Sequence, residues 1–228
     1  LPSDEFYYCH FNTGWTGDMS MLTQALNTKG YEIAFGKPLS YNWLCAGWPR
    51  GKDKEKDTKQ TGLGDLDRYM GFLKCLYTAG MVGGNAGYYA YPEGGFAAEF
   101  PENEPPHWLR QMIVLARAHA MFSHLEDFLR NGDLVPGPDK HVWSKSQPAY
   151  ELPTGDATVR VLARKHKHRA EWLVTAWAAD GDARDVTVTV PDLGELKLHA
   201  RPAGSVYLVA AGDGKKPLLP REVVEADQ

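Results

Sequence analysis

The pattern of hydrophobic and polar positions changes character near residue 140. Before that point, apolar runs typical of strands alternate with runs of helical spacing, whereas after it short strands follow one another without helices. In the first part, the pattern predicts strands at 5–12, 39–46 and 81–89 and helices at 18–27, 65–79 and 107–130. Strands and helices in strict alternation are the βα repeat of a parallel sheet, so a parallel sheet is expected here.

The predicted helix ends follow from capping residues. Asp18 is the expected N-cap of the first helix, which runs through Asn27 and stops at Gly30. Asp65 opens the second helix and Gly80 closes it.

The third predicted helix, 107–130, has an unusual composition. It is nearly all apolar between Leu109 and Phe122, so we expect it to be buried on most sides. Asn131 and Gly132 supply its stop signal.

The second part of the chain predicts strands at 157–164, 171–178, 185–190, 195–200 and 205–210. Within the third of them, Val186, Val188 and Val190 alternate with Thr187 and Thr189, the period of a sheet with one buried face. Turn-forming residues separate the strands. This part is therefore predicted to be an antiparallel β-sandwich.

Composition excludes several classes of function. The 228 residues carry a net charge of -4, which argues against a protein that binds duplex nucleic acid. No apolar run approaches the roughly 20 residues of a membrane-spanning helix. The chain opens with neither a signal peptide nor the residues expected of a native N-terminus. Its basic run at 165–169 is interpreted as an exposed hairpin tip rather than a recognition patch.

Common cofactor and metal motifs do not occur. The chain has no GxGxxG, no GxxxxGK[ST] and no GxSxG. Cys9, Cys45 and Cys75 have no CxxC spacing, and His119 and His124 lack the HExxH arrangement. We therefore predict no cofactor and no metal, with the cysteines as small buried residues.

The order of elements, together with the segment VRVLARKHKHRAEWLVTAWAADGDARDVTVTVP, resembles the C-terminal portion of a (β/α)8-barrel glycoside hydrolase with an appended β-sandwich domain. The resemblance implies an α/β plus all-β fold: residues 1–140 would be the last βα units of a TIM-type barrel, and 141–228 the sandwich. Strands 5–12, 39–46 and 81–89 would be about strands 6, 7 and 8. The family also suggests a secreted or periplasmic protein.

The barrel part is short for this family. A complete barrel takes roughly 200–250 residues, so the resemblance implies that the missing strands belong to an upstream segment or to a partner chain. An independent, smaller α/β sheet is the alternative. The helix at 107–130 is expected to pack the sandwich against the barrel, and the sandwich to have no ligand of its own.

Aromatic and amide side chains accumulate around the ends of the three predicted strands. In a barrel of this kind, ligands bind beyond the C-terminal ends of the strands. Flat rings stack on the C–H faces of sugars, and amides bind their hydroxyl groups. An oligo- or polysaccharide is therefore the expected partner, although each aromatic taken alone could be ordinary core or surface. The candidate substrate-binding residues are Asn12, Trp15, Asn42, Trp43, Trp48, Asn85, Tyr88, Tyr89 and Tyr91.

Glu93 is the candidate catalytic residue. Glycoside hydrolysis usually needs two carboxyl groups, and Glu93 follows the third strand beside the tyrosines, although a solvated turn residue would fit there too. The strand at 39–46 lacks the terminal glutamate that the largest clan of barrel glycosidases uses as nucleophile. Glu32 would lie on the N-terminal side of a strand, which indicates stability rather than catalysis. No catalytic pair is visible, so a second carboxylate is expected upstream or on another chain.

Three hypotheses follow from the sequence. The first is the C-terminal part of a glycoside hydrolase, incompetent alone. The second is a non-catalytic carbohydrate-binding or structural module. The third is an interaction subunit that completes a barrel with a partner chain.

Overall fold

The structure is a computed structural model, and it describes only part of the chain. The described residues are 5–6, 15–36, 39–40, 43–45, 66–82, 86–87, 107–135, 150–212 and 217–224. They form a mixed α/β fold in which a parallel sheet with its helices is followed by an antiparallel sheet and a hairpin. Within these ranges, no helix is long and apolar enough to cross a membrane.

The first part contains a parallel sheet in chain order. Strands β1 (Glu5–Phe6), β2 (Trp43–Cys45) and β3 (Ala86–Gly87) are adjacent and parallel, with α1 (Trp15–Ala34) and α2 (Leu66–Thr78) between them. This confirms the predicted βα repeat. Right-handed crossovers in a chain-order sheet place both helices on one face, and α1 indeed packs against α2. The described strands form an open sheet and do not close into a barrel.

Helix α1 is longer than its capping residues predict. It begins at Trp15 and continues to Ala34, so Asp18 is not its N-cap and Gly30 does not stop it. Asp18 is instead buried, and its Oδ2 lies 2.7 Å from Nε of Arg68 in α2. Because a tertiary ion pair engages the carboxylate and Gly30 is itself buried, packing overrides the local signals.

Helix α2 is enclosed along most of its length. All ten residues from 69 to 78 are buried. Gly80, at φ +83°, ends the helix: its N–H donates to Tyr77 O (2.8 Å), and Met81 N–H donates to Leu76 O (2.9 Å). This is a Schellman motif, and it confirms Gly80 as the stop.

The third predicted helix is broken at His124 and Leu125. The chain forms α3 (His107–Ser123) and a short α4 (Glu126–Asn131), which ends before Gly132 as expected. The prediction of burial on most sides is wrong, because several of the apolar residues, such as Ile113 at 50% exposure, lie on the solvent side. The buried face is a single stripe: Val114, Leu115, Ala118, Met121 and Phe122.

The second part is antiparallel, as predicted. Five strands form a sheet in the order β10–β9–β6–β5–β4, and two more form a separate hairpin. The sheet strands are β4 (Gly132–Leu134), β5 (Val159–His166), β6 (Glu171–Ala178), β9 (Ser205–Ala210) and β10 (Arg221–Glu222); the hairpin strands are β7 (Arg184–Val190) and β8 (Gly194–Ala200). In β7 the three valines are buried and the two threonines exposed, which confirms the alternation.

The five-stranded sheet is covered on both faces. One face packs against the β7–β8 hairpin, and the other against the helices, so the arrangement has three layers. Leu162, Leu173 and Trp177 face the helices, whereas Val161 and Val174 face the hairpin. Helix α2 covers β5 and β6, and of the predicted helix at 107–130 it is α4 that packs against β4 and β5. The helix at 107–130 was expected to pack the two parts of the chain together, and this contact is made mainly by α2.

Candidate functional site

The carboxyl ends of β1, β2 and β3 lie at one edge of the parallel sheet. Phe6 is paired with Leu44, and Leu44 with Ala86, so the three strands run in register. In α/β folds this is the edge at which ligands bind. The backbone topology thus brings together the ends of the three strands, after which six of the nine predicted sugar-binding residues follow in the sequence: Asn12, Trp15, Trp48, Tyr88, Tyr89 and Tyr91.

Two predicted site residues fall in described elements, and only their backbones are described. Trp43 lies within β2, paired with Glu5, rather than at the end of the strand. Trp15 is the first residue of α1. The other predicted site residues lie outside the described residues and stay predictions: Asn12, Asn42, Trp48, Asn85, Tyr88, Tyr89, Tyr91 and Glu93.

The opposite edge of the sheet carries a buried polar cluster. Lys29 Nζ donates to Glu32 Oε2 (2.7 Å) and to Ser40 Oγ (3.1 Å), and all three side chains are buried. Ser40 N–H donates to Gly80 O (3.0 Å), and Val82 N–H donates to Ser40 O (2.8 Å). The cluster joins α1 to the amino-terminal ends of the β2 and β3 segments. Glu32 lies in α1, and through Lys29 it is linked to the amino-terminal side of β2, the location that the sequence predicts.

The contact of α2 with β5, β6 and the 201–204 turn, called here the α2–sheet junction, depends on two glycines. A Cβ on Gly71 would overlap the indole ring of Trp177 and the carbonyl oxygen of Pro202. A Cβ on Gly204, at φ +67°, would lie 3.0 Å from Gly71 Cα. Only glycine lets the helix approach the sheet this closely.

Buried polar contacts fix the position of α2 on the sheet. Lys74 Nζ donates to Gly204 O (3.0 Å), and the hydroxyl oxygens of Thr78 and Thr175 are 2.6 Å apart. Thr78 and Thr175 are fully buried, so each satisfies the other. These bonds specify one orientation of the helix, whereas apolar contacts alone would tolerate sliding.

Thr175→Val should lower the free energy of unfolding by about 1–2 kcal/mol, because the buried Thr78 hydroxyl would lose its partner. The double variant Thr78→Val/Thr175→Val should recover most of that loss, since no hydroxyl is then left unsatisfied. Urea unfolding of the wild type, of each single variant, Thr78→Val and Thr175→Val, and of the double variant measures this coupling. Purely additive losses would show that the two hydroxyls do not bond.

Arg164 of β5 joins the junction to the ends of two helices. Its Nε donates to Thr78 O (3.2 Å), and its Nη1 donates to Gly132 O (2.7 Å), at the C-terminal ends of α2 and α4. Burial lowers the pKa of Arg164 to about 10, and the group remains a cation at neutral pH. A cation is favourable at carbonyl groups that have no intrahelical donor.

Glu151 occupies the edge of the same junction. Its Oε1 lies 2.6 Å from Nε of Arg160 in β5. Burial raises the pKa of Glu151 to about 7, although Arg160 acts in the opposite direction. Burial, together with the nearby Glu151 charge, also raises the pKa of the Cys75 thiol, so this cysteine is not an activated nucleophile.

Of the basic run at 165–169, residues 167–169 form the exposed tip of the β5–β6 hairpin, as predicted, whereas Lys165 and His166 belong to β5 and His166 is buried. Each of its strongly basic side chains is close to an acid, so the tip presents no surplus of positive charge. The pairs are Lys165 with Asp192, Lys167 with Asp133, and Arg169 with Asp127 and Glu171.

His166 is held in this hairpin by hydrogen bonds of both ring nitrogens. Its Nδ1 accepts from the backbone N–H groups of His168 and Arg169 (3.1 Å each), which assigns the proton to Nε2. Nε2 then donates to Asp127 Oδ2 (3.2 Å). Because both ring nitrogens are engaged, the pair is not available as a general base.

Sequence reasoning missed Gly71, Arg164 and Glu151. The signal for Gly71 was present: a glycine within an apolar helical stripe, where alanine is the better helix former, indicates close approach of another element. Arg164 gave no comparable signal, because alternating polar residues along a strand normally face water. Glu151 lies outside the strands, in a segment with no regular pattern.

No group of three or more His, Cys, Asp or Glu side chains in the described part of the chain could hold a metal ion. Comparisons with protein-family models, curated proteins and solved structures find no match to this chain. A functional conclusion must therefore come from the topology and from the residues themselves.

Proposed function

We propose that this chain is the C-terminal part of a (β/α)8-barrel glycoside hydrolase, acting on oligo- or polysaccharide and supplying aromatic sugar subsites. The observation that supports the proposal is the parallel order β1–β2–β3 with α1 and α2 on one face. Consecutive units of a barrel have this order, whereas a doubly wound sheet reverses its strand order at the ligand site.

The proposed site contains aromatic side chains and polar side chains with different roles. Trp15, Trp43, Trp48 and the tyrosines at 88, 89 and 91 would stack on sugar rings, and the three asparagines would bind hydroxyl groups. Glu93 would act as the acid/base or as a substrate ligand. The partner carboxylate would come from an upstream segment or another chain, and its distance from Glu93 would decide between retention and inversion.

A non-catalytic carbohydrate-binding module is the second candidate. The observation in its favour is that residues 7–14 and 46–52, which directly follow β1 and β2, contain no aspartate or glutamate. The same aromatic residues would then bind a glycan without cleaving it.

Titration calorimetry of this chain with oligosaccharides tests sugar binding. We expect measurable heat at millimolar or lower sugar concentration, and a loss of at least half of that affinity in Tyr88→Ala, because one stacking surface is removed. Glu195→Ala, on the exposed face of β8, is the matched control. The absence of heat with every glycan class would reject the carbohydrate-binding module.

Glu93→Gln separates catalysis from binding. In the protein with its completed barrel, the variant should lower turnover by about 10²–10⁴-fold, the usual contribution of a general acid or base, and leave sugar affinity within a factor of a few. Unchanged turnover would reject the catalytic role of Glu93. Loss of affinity with unchanged turnover at saturating sugar would make it a ligand only.

A further inference from the structure

Helix α3 is apolar on two sides, but only one of them is covered. Its buried stripe lies against the rest of the fold, where α3 packs on α2. On the other side, Ile113, Ala116 and Ala120 follow helical spacing and are exposed, with Ile113 at 50% exposure. A helix that is apolar on both sides is normally buried on both sides. The exposed side, called here the outer stripe of α3, is covered by no element of the described structure.

The parallel sheet has an open edge next to β3. Of the described strands, only β2 pairs with β3, and the chain leaves α3 for the antiparallel sheet instead of returning to the parallel one. In a sheet of right-handed βα units, the helix after a strand covers the groove toward the next strand. Helix α2 packs against both α1 and α3, whereas α1 and α3 share no comparable contact, so α2 lies between them. Helix α3 and the open edge of β3 therefore belong to the same side of the helical part.

We propose that the outer stripe of α3 and the open edge of β3 together bind one further βα unit, whose strand pairs parallel to β3 and whose helix packs against Ile113, Ala116 and Ala120. The inference rests on the proposed function, which expects such units upstream of this chain, but it does not depend on sugar chemistry. The contact continues the interfaces that α2 makes with α1 and α3. The small side chains of Ala116 and Ala120 let a second helix approach closely, and Ile113 supplies apolar surface for it to bury.

A second copy of this chain fits the surface less well than an upstream unit does. To extend the parallel sheet, a second copy would place its own β1 beside β3 and its own α1 beside α3. The exposed residues Ser20 and Gln24 of α1, which are one helical turn apart, are polar and do not complement an apolar stripe. The partner is therefore a βα unit with an apolar strand and with a helix that is apolar on the side facing α3.

The polypeptide that the gene encodes upstream of residue 1, produced separately, is the probe for this surface. Biolayer interferometry should detect its complex with this chain, and Ile113→Lys should weaken the complex by about tenfold or more, because a charge replaces an apolar contact. Gln24→Lys adds the same charge on the exposed face of α1 and should leave the affinity within about twofold. Both variants should keep the urea midpoint of this chain, since both positions are exposed.

Two further measurements locate the contact and cover a probe that does not fold alone. In the complex, hydrogen exchange should slow by about tenfold or more at residues 86–87 and 113–120. In a single polypeptide that includes the upstream segment, Ile113→Lys should lower the urea midpoint, although it leaves that of this chain unchanged.

Three results would overturn the proposal. They are an upstream sequence without a βα pattern, equal behaviour of the wild-type and Ile113→Lys proteins in both formats, and self-association of this chain that Ile113→Lys abolishes, which would make a second copy the occupant. A complex that forms as expected but cleaves no glycan would instead reject the proposed function and leave this inference in place.

Discussion

The Gly71→Ala protein should lose about 3 kcal/mol of unfolding free energy, the upper range for overpacking of a close-packed interior. Alanine is normally the better helix former by about 1 kcal/mol, so an ordinary helical site would predict a gain. At Gly71 the added methyl group meets both the Trp177 ring and the Pro202 carbonyl oxygen. The ring could rotate, but the backbone oxygen cannot move without displacing the turn at 201–204.

The sign of the Gly71→Ala effect is therefore decisive, and urea or thermal unfolding measures it. Gln24→Ala, on the exposed face of α1, is the matched control and should change stability by no more than about 0.5 kcal/mol. A stabilised Gly71→Ala protein would show that α2 does not approach β6 closely.

Arg164→Met should destabilise the protein by about 3 kcal/mol, because two carbonyl groups would lose a charged donor inside the fold. Methionine has a similar length and fills the space without a charge. The variant also removes the cost of burying a charged guanidinium. The same burial lowers the pKa of Arg164 to about 10. We expect the two unsatisfied carbonyls, Thr78 O and Gly132 O, to outweigh that gain.

Two further variants make the Arg164 result interpretable. Arg164→Lys keeps the charge but cannot span both carbonyl groups with one fork, so an intermediate loss is expected. Lys167→Met removes an exposed partner of Asp133 and should cost less than about 1 kcal/mol. An Arg164→Met protein as stable as the wild type would show that desolvation cancels the contribution of the two bonds.

The antiparallel part could be predicted in detail because its patterns are local. Alternating valines fix the buried face of β7, and turn residues separate its neighbours. The end of helix α2 could also be predicted from the sequence, since a stop at Gly80 requires only a residue that adopts a positive φ. The start of α1 could not be predicted in the same way. Asp18 is a typical N-cap residue, but the helix begins earlier, at Trp15, because the Asp18 carboxylate pairs with Arg68 instead of capping the helix.

Burial of the five-stranded sheet on both faces could not be predicted from the sequence. Along β5, Arg160, Arg164 and His166 alternate with apolar residues and so predict a solvated face. They face the helices instead. Arg164 and His166 contact partners that are distant in sequence, whereas Arg160 pairs with Glu151, just before β5. The candidate sugar site is predicted from residue types after three strands, and the geometry of those side chains lies outside the described residues.

The α2–sheet junction has a consequence for the order of folding. Its bonds join residues far apart in sequence: Lys74 and Gly204 are separated by 130 positions, and Thr78 and Thr175 by 97. Such non-local contacts slow folding, because a long loop must close before they form. Helix α2 is synthesised early, but its set of partners is complete only after residue 204 has emerged. During synthesis, the enclosed face of this helix is therefore the surface that chaperones would need to shield.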